Sequence, residues 1–166
     1  PFFKRAIDLD PEFAMAHAVL STVYGNLGEG GLAQEHMRRA FELRNRVSDR
    51  ERFYIMSRYY SFTGQTDKSL ETHVVWTHTY PRSANAHNNL GELYKALGQY
   101  DKALEEQEKA VRLDPDFAFN YVNVAESLIA LDRLEEAKTA LHRMFERNGD
   151  SALRRIWLYV IAFLEN

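Results

Sequence analysis

A chain that performs covalent or metal chemistry needs nucleophiles, acid–base groups or ligands at workable spacings. Here the supply is narrow, with six His, 24 Asp and Glu and no Cys in 166 residues. Without a thiol, cysteine catalysis and disulfide stapling are excluded. His73 and His78 stand five apart, on different faces of a helix, where two ligands to one metal need about four, and no His-Glu-x-x-His occurs. Ser21, His17 and Glu29 have the residue types for acyl transfer, but Ser21 falls in a column of small, tightly packed residues. Gly25, Gly28, Gly30 and Gly31 resemble a phosphate loop and lack both its preceding strand and its Gly-Lys-Ser/Thr ending. No catalytic residue, metal or cofactor is expected, and the chain is not expected to be an enzyme.

What remains is recognition. Asn89 and Asn123 lie 34 residues apart, and a side-chain amide offers both a donor and an acceptor, so a ladder of amides can pair with the backbone of an extended peptide of any sequence. Around them Asn85, Asn88, Glu92 and Lys95, then Phe119, Val122, Glu126 and Ile129, and earlier Tyr54 and Arg58, share one side of their helices by helical spacing. The set is polar in its middle and grades into apolar residues. It suits a peptide with a basic group, received near Glu92 and Glu126, and one or two apolar anchors.

These positions can be aligned because the chain repeats itself. Residues 87–115 are echoed 34 residues later by 121–149, and the turn positions Gly28, Gly64, Gly98 and Asp132 stand in register between apolar-periodic stretches. Seven before the turn come Ser21, Ser57, Gly91 and Ala125, small enough for close helix crossing. Four before it come Tyr24, Tyr60, Tyr94 and Leu128, and eight before it Leu20, Met56, Leu90 and Val124, which are apolar at helical spacing. Seventeen after it stand Asn45, Pro81, Pro115 and Gly149, poor helix continuers. Each unit is therefore helix, turn, helix, stop. The expected division is a partial repeat at 1–11, full repeats at about 14–47, 50–83, 84–117 and 118–151, and a partial repeat at 152–166, ten helices with no strand. Ser48 with Glu51 forms a capping-box pattern that restarts a helix after a longer connection.

Asn89, Leu90, Gly91, Tyr94, Gly98, Tyr100, Ala103, Ala110 and Pro115 resemble the tetratricopeptide repeat, and the resemblance runs along essentially the whole chain. It implies an all-α fold, a right-handed α-solenoid of antiparallel helix pairs whose first helices line a concave groove. It also implies a non-catalytic scaffold whose partner is a protein or an extended peptide. Departures from the family pattern are His17 and His87 where a bulky aromatic is usual, and Ser69 where Ala is usual. The subtype that clamps the terminal carboxylate of chaperones is matched at Asn89 alone, so chaperone tails are not the expected ligand. Residues 50–60 and 80–90 are similar to arrays attached to bacterial sensory proteins with a kinase or winged-helix domain, which implies a segment of a larger signalling or assembly protein, or a regulatory segment of an upstream kinase.

The last half repeat is different. Ile156, Trp157, Val160, Phe163 and Leu164 belong to a run that is apolar on every side, which the cap of a solenoid should not be. The second helix of this half repeat, in a longer chain, is the expected cover; in this chain a second copy is expected to substitute, giving a homodimer through this helix. Its nine-residue apolar run from Ile156 to Leu164 falls short of the roughly 20 that span a membrane, so no membrane partner is expected. Net charge −3 and a pI near 6.1, with two acidic positions on the candidate face, disfavour phosphate backbones, and no nucleic-acid partner is expected. The opening residues Pro1 to Arg5 show no secretory pattern and read as a cut through a longer chain, for which a cytoplasmic location is expected.

Overall fold

The computed structural model describes residues 2–148 and 152–164; side chains of 148, 152–155, 158 and 164 are outside that description. Among the described residues the chain is entirely helical and contains no strand. The helices are α1 (Phe2–Leu9), α2 (Ala14–Asn26), α3 (Gly30–Glu42), α4 (Asp49–Phe62), α5 (Thr66–Thr79), α6 (Ala84–Ala96), α7 (Tyr100–Leu113), α8 (Ala118–Ala130), α9 (Leu134–Asn148) and α10 (Ala152–Leu164), with a 3₁₀ turn at Arg44–Arg46. They fall into two compact units, residues 1–76 and 77–166.

Four αα-hairpins share one turn. Gly28, Gly64 and Gly98 have φ of 77°, 71° and 70°, and Asp132 has φ 58°. Left-handed backbone is free of strain for glycine and disfavoured for a side chain. In each turn the N–H after that residue donates to a carbonyl five residues back. Glu29 reaches Tyr24, Gln65 reaches Tyr60, Gln99 reaches Tyr94 and Arg133 reaches Leu128, all at 2.9 Å. The left-handed residue itself bonds three back, to Gly25, Ser61, Lys95 and Ile129. This is the Schellman arrangement, which satisfies carbonyls that the end of a helix would otherwise leave open. Starts are capped where the sequence allows. Ser48 and Glu51 form the reciprocal box on α4, and Ser83 Oγ accepts from Ala86 N at 3.3 Å on α6.

In the first unit α1 packs on α2, α2 on α3 and α3 on α4. Ala14, Ala18, Ala40, Leu43 and Ile55 form its buried cluster. Ser57 and Ser69, both fully buried, let α4 and α5 approach, with Ser69 Oγ donating to the Ser57 carbonyl at 3.2 Å. Trp76 is 2% exposed where Ala40 and Ala110 are 0%, and its indole N–H has no acceptor among the described residues, a deficit of about 1–3 kcal/mol.

In the second unit α6 packs on α7, α7 on α8, α8 on α9 and α9 on α10. Its core includes Leu104, Val124, Leu128, Leu141 and Met144. Full burial of a side chain such as Leu141 contributes about 1.5–3 kcal/mol. Gly91 allows α6 onto α7, because a Cβ there would lie 2.7 Å from Gln107 Cγ and 3.1 Å from the Ala103 carbonyl.

Candidate functional site

Most of the candidate recognition residues fall in the second unit, where α6 and α8 contact one another and present a shared surface. Two features tie the helices together. Asn123 Nδ2 donates to Asn88 Oδ1 at 2.7 Å. Lys95 Nζ sits between two carboxylates, 2.9 Å from Glu92 Oε1 and 2.5 Å from Glu126 Oε2. Partial burial works against the Lys95 charge, but the hydrogen bonds it donates to Glu126 and Glu92, with their charges, outweigh it and hold its pKa above the usual lysine value. Behind them, fully buried Gln107 accepts from Ser127 Oγ at 2.6 Å and lies within 3.5 Å of Glu92.

The sequence therefore identified the polar residues of this surface and missed their mutual satisfaction. The two glutamates are already bridged by Lys95, so the face offers one net negative charge rather than two. Asn89 Nδ2 donates to the Asn85 carbonyl at 2.7 Å and reaches Asn85 Oδ1 at 3.3 Å. The Oδ1 atoms of Asn89 and Asn123 make no bond among the described residues, so both amides keep an acceptor for an incoming N–H. Phe119 is 54% exposed and tilts against Phe117 at 5.7 Å, an exposed aromatic pair. Val122 is 5% exposed and lies in the core cluster of this unit rather than on the face that carries Asn123. Ile129 is half-buried against the same core.

Tyr54 and Arg58 belong to the first unit. Tyr54 packs half-buried on the core there, and Arg58 Nη2 donates to Thr22 Oγ1 at 3.2 Å.

At the C-terminal helix, Trp157 is half-buried against the core and Val160 is half-buried too. Ile161 is buried at 5%, while Ile156, Tyr159 and Phe163 are 61%, 76% and 73% exposed. The helix thus has a seated side and a bare one. Its bare stripe runs through Tyr159, which sequence reasoning missed, and not through Trp157; the Leu164 side chain lies outside the described ones.

His17 and His87 are both 7% exposed. His17 Nε2–H donates to the Pro11 carbonyl at 3.2 Å and its Nδ1 is 2.9 Å from His36 Nδ1. His87 Nε2–H donates to the Pro81 carbonyl at 3.0 Å and its Nδ1 is 2.6 Å from Glu106 Oε2. Burial lowers the pKa of His17 below the ordinary histidine value, and burial together with neighbouring His17 does the same to His36. Among the described residues no three His, Asp or Glu side chains converge as metal ligands, and no helix is long and apolar enough to cross a membrane.

Residues 84–117 match the sequence profile described as tetratricopeptide repeat. No curated protein matches the chain in sequence. Among solved structures, the thermophilic TPR protein TTC0263 of Thermus thermophilus is 22% identical with a TM-score of 0.77, over 97% of this chain and 87% of that one. YrrB, described as a TPR protein with an unusual peptide-binding site, is 18% identical with a TM-score of 0.60, over 95% of this chain and 80% of that one. Human IFIT1, solved as a dimer with PPP-AAAA, is 19% identical with a TM-score of 0.67, over 86% of this chain and 34% of that one. At such identities the likeness speaks for the fold.

Proposed function

We propose that this chain, whose residues 84–117 match the tetratricopeptide-repeat profile and whose fold is that of TPR proteins, is a non-catalytic scaffold that holds an extended peptide segment of a partner protein on the surface shared by α6 and α8. The carrying observation is the row of Asn88, Asn89 and Asn123 beside the Glu92–Lys95–Glu126 bridge. Polar groups there are fixed by one another and still leave amide oxygens open. A surface ordered before binding loses little side-chain entropy when the ligand arrives. Exposed Phe119 supplies an apolar anchor point beside it. The peptide-binding site of YrrB supports the class of ligand for a protein of this fold, no more. One lysine against two carboxylates makes the face unfavourable for phosphates, so RNA of the kind bound in the IFIT1 structure is not the proposed ligand. Arg58 and Tyr54 are proposed as peptide-facing residues of the first unit in their own right. So is a place inside a larger signalling or assembly protein, supported by the similarity of residues 50–60 and 80–90 to arrays in bacterial sensory proteins.

The test is capture of partners on the intact chain, identification by mass spectrometry, and titration of the recovered segment. Asn89→Ala with Asn123→Ala should weaken binding by about tenfold, two amide contacts of about 0.5–1.5 kcal/mol each. Unchanged affinity would sink the amide reading.

A second reading rests on the bare stripe of α10, Ile156, Tyr159 and Phe163, and makes this helix a self-association surface. Sedimentation equilibrium should show a dimer that Phe163→Glu dissociates; a monomer at high concentration removes this reading without touching the first.

A further inference from the structure

The repeat register puts four residue pairs in the same crevice between a first helix and its own second helix, each pair 19 residues apart: His17 with His36, Phe53 with Thr72, His87 with Glu106, and Tyr121 with Ala140. Polar contacts bridge the His17 and His87 crevices, and hollows of about 230 and 330 Å³ remain beside His17 and beside Phe53. The Tyr121 crevice has no polar contact across it, since Ala140 ends in a methyl group. A hollow of about 310 Å³ opens there between α7, α8 and α9, with Val111, Tyr121, Val124 and Ala140 forming an apolar floor. Tyr121 is 4% exposed, and its hydroxyl makes no hydrogen bond among the described residues.

Charge around the hollow is net positive, two arginines against one glutamate. Arg112 and Arg143 stand at its rim. Glu108, the one acidic lining residue, is 3.7 Å from Arg112, and Arg143 pairs with no carboxylate among the described residues. Two guanidinium groups and a phenol O–H are donors facing an apolar floor. The complement is an apolar side chain adjoining a carboxylate. The volume sits at the lower end of the roughly 300–1,000 Å³ of small-molecule sites, enough for one large side chain rather than a cofactor.

We propose that this hollow on unit two is a docking site for an acidic segment of a partner protein, with a leucine- or phenylalanine-sized side chain seated on Val111, Val124 and Ala140 and a neighbouring Asp or Glu held by Arg143, Arg112 and the Tyr121 hydroxyl. It does not rest on the α6–α8 reading, whose residues it does not use.

The experiment is an amide-shift titration of the ¹⁵N-labelled chain with acetyl-Leu-Asp-Leu-Asp-amide, with acetyl-Leu-Lys-Leu-Lys-amide as the counterpart. The acidic peptide should shift Val111, Tyr121, Val124 and Ala140, and the basic one should not. Arg143→Glu should weaken the acidic peptide by about tenfold, in line with reversing one charge pair, and Tyr121→Phe by about threefold through the lost hydroxyl. Ala140→Leu fills the hollow and should abolish the shifts while circular dichroism shows the helices intact. No shift at millimolar acidic peptide, equal response to the basic peptide, or shifts confined to Asn89 and Asn123 would overturn the proposal.

Discussion

His17 in the first unit and His87 in the second occupy the same place in the repeat, each with Nε2–H on a proline carbonyl six residues back, yet each faces a different partner. Nδ1 of His17 meets His36, and Nδ1 of His87 meets Glu106. In the first crevice His17 spends its Nε2 proton on Pro11, so Nδ1 must accept from the Nδ1–H of His36. A proton added to His17 would set donor against donor. In the second, a proton on Nδ1 points at a carboxylate, which Lys109 also contacts at 2.7 Å. One fold position therefore faces an imidazole in one unit and a carboxylate in the other, fixed by a single residue 19 positions downstream. The same contrast recurs where the hairpins cross: the first unit packs through serine hydroxyls, the second through the absence of a Cβ at Gly91.

The crossing gives the largest expected effect. Gly91→Ser must push against Gln107 Cγ and the Ala103 carbonyl, and overpacking of this kind costs about 1–3 kcal/mol. Ser57→Ala in the first unit keeps a small side chain without a clash and should cost about 0.5–1.5 kcal/mol, the loss of the one bond its hydroxyl donates to the Tyr54 carbonyl. Urea midpoints of the two variants measure the difference. Equal losses would show that both units pack their crossings alike.

Acid should act next, and on the first unit. The lowered pKa values of His17 and His36 mean that the unfolded chain takes up protons first. Their contribution is present above the unfolded value near 6.5 and is lost as pH falls below it. Buried His73, lowered mainly by burial, adds in the same direction. Melting temperature should thus drop as pH falls below about 6.5. His36→Glu, which copies the crevice of the second unit, should flatten that dependence, and Glu106→His should steepen it. Histidine proton shifts followed by NMR across the same range locate the effect. An unaltered pH slope in His36→Glu would break the contrast.

What the sequence disclosed and what it hid follow from distance along the chain. Turns were legible because their cause is local: a glycine at a left-handed position, or Ser48 three residues before Glu51, declares itself within one helical turn. Lys95 with Glu92 is likewise three apart and readable in principle. Its reach to Glu126, 31 residues on, depends on how α6 sits against α8, which repeat spacing alone does not state. For the same reason Glu92 and Glu126 looked like an open receptor for a basic group when a lysine was already there. Val122 was assigned to the binding face by column, but apolar Val122 is buried in the core where polar Asn88, its counterpart, stays half-exposed. At α10 the all-round apolar pattern announced an uncovered helix and left unsaid which side would seat against α9.

The smallest expected effect isolates the turn. Asp132 has φ 58° with the same two backbone bonds that Gly98 makes at φ 70°, so the second unit contains the same motif with and without a side chain. Asp132→Gly relieves left-handed strain in the folded state but also frees the unfolded chain, which costs about 0.4–1 kcal/mol on its own. Left-handed backbone costs an ordinary side chain roughly 1–2 kcal/mol, less for Asp. The two terms nearly cancel, and the net should be a stabilisation of no more than about 0.5 kcal/mol. Gly98→Asp meets open space at its Cβ and should lose a similar small amount with the sign reversed. Chemical denaturation of both variants decides the matter: a large loss in Asp132→Gly would mean that the carboxylate holds the turn by contacts of its own, and the fourth hairpin would then not be the equivalent of the third.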